Sequence, residues 1–341
     1  MLVFDGIIYQ LQRRGGISVY FNELFSRLRS NKIPFNVLTY GNRYGNVPIE
    51  AHMLNPRFFE RYRTVNISKD CSIFHSTYYR SPVVGLNLKT VVTVHDFMYE
   101  KYARWDRKTV HTIQKYAAIR KADAIICVSE QTKKELMNYC DISNHQKIFV
   151  IHNGVSEIFK PNSELVINES KRPYVLYVGN RAGYKNFGLL LSAMVKLQGY
   201  DLYMVGGESV TSEESRFIAS RLKGKVKIFR NVPGDQLAEL YRGAFCFVSC
   251  SLDEGFGIPI AEAMASGCPS VCLDRPIFRE VAGENGIFIE NDVDDFLQKF
   301  FWLENNWLGQ KMKISKDNRR FSWEDTHNNT LSVYQQLNEN S

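Results

Sequence analysis

"SLDEGFGIPIAEAMASG", residues 251–267, sets two glutamates, Glu254 and Glu262, around two glycines and a proline. It follows the apolar run "FCFVSC" and opens an alanine-rich helical one. A strand that hands over to a helix through glycines is the building unit of doubly wound α/β sheets. Pro259 suits the first helical position and Gly267 the residue past the helix end. Glu254 then falls on the loop ahead of the helix, and Glu262 about one turn inside it. Gly255 and Gly257 let backbone approach a ligand, and the amides of Phe256, Gly257 and Ile258 sit at the positive end of the helix dipole. A carboxylate can accept from two neighbouring hydroxyls, as on a sugar ring or a ribose. One acid here would do no more than complement the dipole; two acids framing Gly-Phe-Gly-Ile-Pro point to a ligand.

The same alternation extends outward in both directions. "YVLYVGN", "YDLYMVGG", "VKIFRNV" and "FCFVSCS" read as strands, each followed by a helical run. Towards the N-terminus "LVFDGI", "PFNVLTY", "CSIFHS", "TVVTVHD", "DAIICVS" and "KIFVIHNG" read as strands, with "GISVYFNELFSRLRS" as a helix. Continuous apolar runs of this kind fit parallel strands buried on both faces. A shift to Asn, Gly, Ser and Pro across residues 153–173 predicts an interdomain linker. Trp323, Thr326, Thr330, Val333, Tyr334 and Leu337 recur at helical spacing in the last segment. The expected fold class is α/β: two Rossmann-like doubly wound domains with an interdomain cleft, residues 1–155 and 156–318, and a C-terminal helix in 319–341. The 341 residues are ample for two such cores.

In these sheets ligands sit outside the carboxyl ends of the strands, so the strand-to-helix junctions carry the candidate chemistry. In "YVGNRAGYKNF", residues 177–187, Arg181 and Lys185 could clamp a diphosphate, the arginine as a fork and the lysine as a point charge. In "QRRGGISVY", Gly15 and Gly16 stand between the first strand and first helix and offer amides to an anion. The spacing is not G-x-G-x-x-G, which argues against a nicotinamide oxidoreductase. His95 and Asp96 end the strand "TVVTVHD" and are candidate polar contacts to a reacting group.

"DEGFGIPIAEAMASGCPSV" resembles the E-x7-E signature of retaining family 4 glycosyltransferases of the GT-B fold. "GGISVYFNEL", "VHD", "HNGVSEIFKP" and "YVGNRAGYKN" occur in that family's order, so the resemblance covers nearly the whole chain. It implies that Glu254 holds donor-sugar hydroxyls and Glu262 the ribose of a nucleotide-sugar. It also implies that Arg181 and Lys185 neutralise the diphosphate and that Gly16 gives its amide to the phosphates. His95 would contact the sugar near the reacting carbon; Phe256, Gly257 and Ile258 would supply amides; Asn231 and Val232 would border the base. By the same resemblance the final helix returns to the first domain. One departure is Asn186, where related enzymes often carry glycine after the lysine.

"FHSTYYRSP" and "TVHDFMYEKY" resemble bacterial polysaccharide and O-antigen mannosyltransferases that use GDP-mannose, although UDP-hexoses and other GDP- or dTDP-sugars stay open as donors. The implied partners are a nucleotide-sugar donor and a saccharide or lipid-linked saccharide acceptor. Arg57, Arg61, Arg63, Lys101, Arg104, Arg107 and Lys108 are mixed with Phe58, Phe59, Tyr62, Tyr99, Tyr102 and Trp105. That composition fits either solvated surface or a rim for an anionic membrane. The net charge of +7 is spread out rather than gathered in a stripe, which disfavours nucleic acid. Asp292-Val293-Asp294 looks like a D-x-D metal motif but is placed as a helix cap, so neither metal nor cofactor is expected. Seven cysteines without metal or disulfide spacing read as reduced thiols. The N-terminus lacks signal-peptide character and no apolar run spans a bilayer. The expected location is the cytoplasm, with the inner membrane face as a candidate docking surface. A GT-B sugar-nucleotide epimerase and an exported two-lobed sugar-binding protein are the rival classes.

Overall fold

The computed structural model describes the chain except residues 13–14, 42–47, 49, 84–87, 104, 162–171, 182, 208, 318–320 and 340–341, and except the side chains of residues 105–110. Two compact units emerge: residues 1–154 together with 322–341, and residues 155–321.

The first unit is a parallel sheet of β1 (Leu2–Asp5), β2 (Phe35–Thr39), β3 (Ala51–Met53), β4 (Ile73–Ser76), β5 (Lys89–Val94), β6 (Ala124–Cys127) and β7 (Lys147–Val150). Their order in space is β3-β2-β1-β4-β5-β6-β7. Side chains alternate across it, as the period of a strand demands. Val91 and Ile126 join Phe4, Phe21, Phe25 and Tyr334 on one face. Val92, Val94, Ile125 and Cys127 join Phe97, Ile119 and Leu136 on the other. Every strand named from the first half of the sequence is present; β3, three residues of half-exposed edge, is too short to show a periodicity. A short helix, Ile8–Leu11, stands between β1 and the Gly16–Ser30 helix. The glycine pair therefore opens the second helix of the chain, not the first as expected.

The Trp323–Asn338 helix belongs to this first unit. Each of its six predicted apolar-face residues is buried, and so is His327. Tyr334 Oη lies 2.6 Å from His75 Nδ1 on β4, and His75 Nε2 lies 2.8 Å from Thr93 Oγ1. Burial holds this imidazole neutral, with a pKa lowered to about 3. At the start of the helix Gly154 is packed against backbone: a Cβ there would come within 2.2 Å of Trp323 N.

The second unit is again fully parallel, from β8 (Tyr174–Val178), β9 (Asp201–Val205), β10 (Val226–Phe229), β11 (Cys246–Ser249), β12 (Ser270–Leu273) and β13 (Ile287–Ile289). The order is β10-β9-β8-β11-β12-β13. The order reverses between β8 and β11, so their carboxyl ends flank the crevice where such sheets bind ligands. Asp292 accepts from the amides of Asp294 and Asp295 and caps the 24-residue Val293–Lys316 helix. Of the predicted linker, residues 162–171 lie outside the described residues.

Candidate active site

The loops after β8 and β11 meet at the switch point of the second unit. Leu252 N donates to Tyr184 O at 2.8 Å, which fastens the loop after β11 to the Gly183–Lys185 turn after β8. Lys185 Nζ and Glu254 Oε1 form an ion pair, and Ser251 Oγ donates to the same oxygen at 2.8 Å. The two charged side chains are 16% and 18% exposed, so solvent screens the pair only in part. Asp253 accepts from the Glu254 amide at 2.9 Å and steadies the loop. Tyr177, Ser251, Gly257 and Ile260 line a small cavity with the ion pair.

Asn186 explains the departure from glycine. It sits at φ 49°, ψ 38°, in the left-handed region, as N-cap of the Phe187–Lys196 helix. Asparagine tolerates that region better than any other side chain of its size. Its amide Nδ2 also donates to Asn291 Oδ1 at 2.7 Å. The turn that presents Lys185 is thus made without glycine.

The helix of the opening stretch runs Ile258–Ala265, with Gly257 as N-cap at φ 87°. Pro259 takes the second helical position rather than the first, and Gly267 at φ 71° lies just past the end. Phe256 is buried edge-on against Phe321, with ring centroids 5.1 Å apart. Among the described residues no acceptor takes the Gly257 or Ile258 amide, as is usual for the first amides of a helix. One turn further, Glu262 Oε2 accepts from Tyr241 Oη at 3.1 Å. Tyr241 is fully buried on the Gly234–Gly243 helix, and burial together with the Glu262 charge keeps its phenol protonated.

Arg181 follows β8 but turns towards β9. Its Nε pairs with Glu214 Oε1 at 3.1 Å, and its guanidinium lies against Gly207, where a Cβ would come within 2.8 Å of Nη1. Glu214 is itself held in the capping box of the Ser212–Arg221 helix. Asn231 (φ 51°, exposed) and Val232 follow β10, at the far edge of the same carboxyl rim.

In the first unit, Gly15 is the N-cap of the Gly16–Ser30 helix, its amide donating to Ser18 Oγ at 3.0 Å. Gly16 is exposed at the first helical position. His95 follows β5, its ring 5.3 Å from Tyr20 and edge-on to it. Its Nε2 is buried without a hydrogen-bond partner among the described residues, and burial lowers its pKa to about 4. The Asp96 carboxylate accepts from Met98 N, the first amide of the Met98–Tyr102 helix, at 3.0 Å. Lys115 is fully buried beneath this loop, 3.0 Å from Glu100 and 3.5 Å from the centre of the Phe97 ring.

The carboxyl ends of β1 and β4 hold a charge cluster that the sequence did not announce. Asp5, fully buried, accepts from Thr77 Oγ1 at 2.8 Å and lies 3.8 Å from Arg80, also fully buried. Arg80 reaches Glu60 at 2.6 Å, and Glu60 accepts twice from the Arg57 guanidinium. The Arg57 and Arg80 charges bring the Glu60 pKa down to about 2. Of the basic residues mixed with aromatics, Arg57 pairs with Glu60 and donates to Thr64 O, Arg63 donates to Phe58 O, and Lys101 pairs with Glu135. Arg104, Trp105, Arg107 and Lys108 have side chains outside those described. What stands out instead is Phe58 and Phe59, 77% and 66% exposed, their rings 4.2 Å apart.

Comparison with known proteins fits this arrangement. Residues 14–157 match the model for "Glycosyltransferase Family 4" and residues 160–321 that for "Glycosyl transferases group 1". The chain belongs to the family 4 glycosyltransferases. This transferase is 26% identical to an uncharacterised glycosyltransferase of Methanocaldococcus jannaschii over 95% of each chain. It is 27% identical to the O-antigen chain mannosyltransferase B of Escherichia coli, covering 73% of this chain and 71% of that one. The O-antigen chain mannosyltransferase RfbU of Salmonella typhimurium is 29% identical, over 59% of this chain and 56% of its own length. Among solved structures, sucrose-phosphate synthase from Thermosynechococcus elongatus superposes with a TM-score of 0.80 at 19% identity, covering 100% and 99% of the two chains. Anabaena HepE with UDP-glucose gives 0.76 at 14% identity, covering 98% and 99%. The fold is GT-B and the enzyme a hexosyltransferase.

Proposed function

We propose that this enzyme moves mannose from GDP-mannose, with retention of anomeric configuration, onto a growing lipid-linked bacterial surface polysaccharide. Two curated relatives that carry the name O-antigen mannosyltransferase support the sugar and the acceptor class. The observation that carries the site is the Lys185–Glu254 pair at the switch point, with Glu262 held by Tyr241 one helical turn away.

Glu254 accepts the sugar hydroxyls and Glu262 the ribose diol. Lys185, Arg181 and the amides of Gly257 and Ile258 receive the diphosphate. Departure of that anion is the demanding event, and fixed donors aimed at developing charge lower its barrier most. The acceptor hydroxyl attacks the anomeric carbon from the face the phosphate leaves; the C–O bond to phosphate breaks and the phosphate oxygen takes the hydroxyl proton. His95, neutral at physiological pH, offers a ligand a hydrogen bond and no charge. The donor carries no metal in this scheme. Phe58 and Phe59 dock the first unit on the membrane that holds the acceptor.

A donor screen by glycosyl release tests the reading: GDP-mannose is expected to turn over, with retained stereochemistry by NMR and without loss in EDTA. Turnover of a UDP-hexose alone replaces the donor; release of free sugar-nucleotide intermediates without acceptor replaces the class by an epimerase. Glu254→Gln and Lys185→Ala are each expected to cut turnover about 10²–10³-fold while the thermal transition persists. Near-normal activity in both variants removes the site. Vesicle flotation of Phe58→Ser/Phe59→Ser reads the membrane contact.

A further inference from the structure

The Val293–Lys316 helix buries Phe296, Phe300, Leu303 and Ile314 against its own unit. Its opposite side exposes Phe301, Trp302, Leu308 and Met312, each 48–50% open. These do not scatter. At 100° per residue all four fall within about 60° of a line through Asn305, forming one apolar stripe on the longest helix of the described residues.

We infer that this stripe seats a second copy of the same chain, the two helices antiparallel across a two-fold axis at Asn305. In that register residues equally far before and after Asn305 lie level, and each edge of the stripe packs against the same edge of its copy. Trp302 then meets the partner's Gly309 and Phe301 meets the partner's Leu308, while near the central line at the ends Asp294 meets Lys316. Gly309 is open: nothing lies within 4 Å of where its Cβ would be, so the partner's Trp302 has a seat. The end charges are complementary, and every contact occurs twice. A polar asparagine at the centre of an apolar stripe favours one register over slipped ones, and the antiparallel arrangement also sets opposite helix dipoles side by side. An anionic lipid surface is the weaker occupant, because the charges on and beside the stripe, Asp294 and Glu304 against Lys313 and Lys316, balance rather than make a basic face. A single helix pair is small beside the roughly 1,200 Å² of the least extensive stable interfaces, so the dimer exchanges with monomer.

Sedimentation velocity of the full chain, from low to high micromolar protein, tests this. A concentration-dependent shift towards twice the monomer mass is expected. Gly309→Gln fills open space and improves helix propensity, so its melting temperature should hold or rise while dimerisation weakens about tenfold or more. Leu308→Glu should weaken it equally. Asp294→Lys and Lys316→Asp should each weaken it, and the double exchange should restore it. A chain that is monomeric throughout overturns the inference, as does Gly309→Gln dimerising like the wild type, or a double exchange weaker than either single one. Monomer that floats with phosphatidylglycerol vesicles and loses this in Trp302→Glu also overturns it and assigns the stripe to lipid. None of these readouts depends on transfer activity.

Discussion

At the scale of single residues, the site works through side chains that hold other side chains. Tyr241 is buried and donates to Glu262, so it fixes where that carboxylate points. Tyr241→Phe keeps the ring packing and removes the donor. The expected outcome is a rise in donor KM of about fivefold, the equivalent of about 1 kcal/mol, with kcat little changed; an unchanged KM in steady-state kinetics would mean Glu262 is not held this way. Asn186 is chosen by its backbone. Asn186→Gly should stay within about 0.5 kcal/mol of the parent, whereas Asn186→Val, β-branched in the left-handed region, should lose about 1–2 kcal/mol in urea denaturation. Equal stability of the two variants would contradict the φ of 49°.

At the scale of elements, Arg181, Lys185, Glu254, His95, Asn231 and Val232 sit between a parallel strand and the next helix, where amides and side chains converge without partners from the ladder. Gly15 and Gly16 open the helix after a short one, and Glu262 lies one turn inside its own. The D-x-D stretch is the instructive exception. Asp292 gives its carboxylate to two amides of its own helix, so Asp292→Ala should cost about 1 kcal/mol of stability and leave turnover as it was. Lost activity regained with manganese would restore the metal reading. The cysteines are spread over strands and the segments between them: all seven are free and buried, and burial pushes Cys140 to about 11 and Cys250 to about 12. Ellman's reagent should therefore find almost no thiol until the protein unfolds; rapid reaction of one or more at neutral pH would show the sheets to be open.

At the scale of the whole molecule, the two sheets close their switch points with different chemistry. The first carries Asp5, Arg80 and Glu60 deep in protein, where loss of one partner strands a buried charge; the second carries the half-open Lys185–Glu254 pair. Buried histidines add a pH dependence. His75, His95 and His111 have pKa values lowered to about 3, 4 and 4 by burial. Their unfolded values are near 6.5, so the unfolded chain binds protons first. Stability is fully present above that value and falls as pH drops below it, by up to about 1.4 kcal/mol per pH unit for a fully buried ring such as His75. Glu60, held at about 2, adds a further loss only below the ordinary carboxylate range. Urea midpoints measured at pH 7 and pH 5 should differ clearly; identical midpoints would require these rings to be charged or solvated.

The sequence by itself determined the strands, most of the helices and the residues at their junctions, because burial on both faces makes a parallel strand a continuous apolar run and glycine marks where it ends. Ser251 stands three residues from Glu254 in the opening stretch, close enough along one loop to donate to it. Tertiary structure alone decided who touches whom. Tyr241 reaches Glu262 from another helix, Arg181 pairs with Glu214, and Arg80 joins Asp5 to Glu60, since pairing between distant segments depends on chain packing in three dimensions and leaves no periodic trace in one.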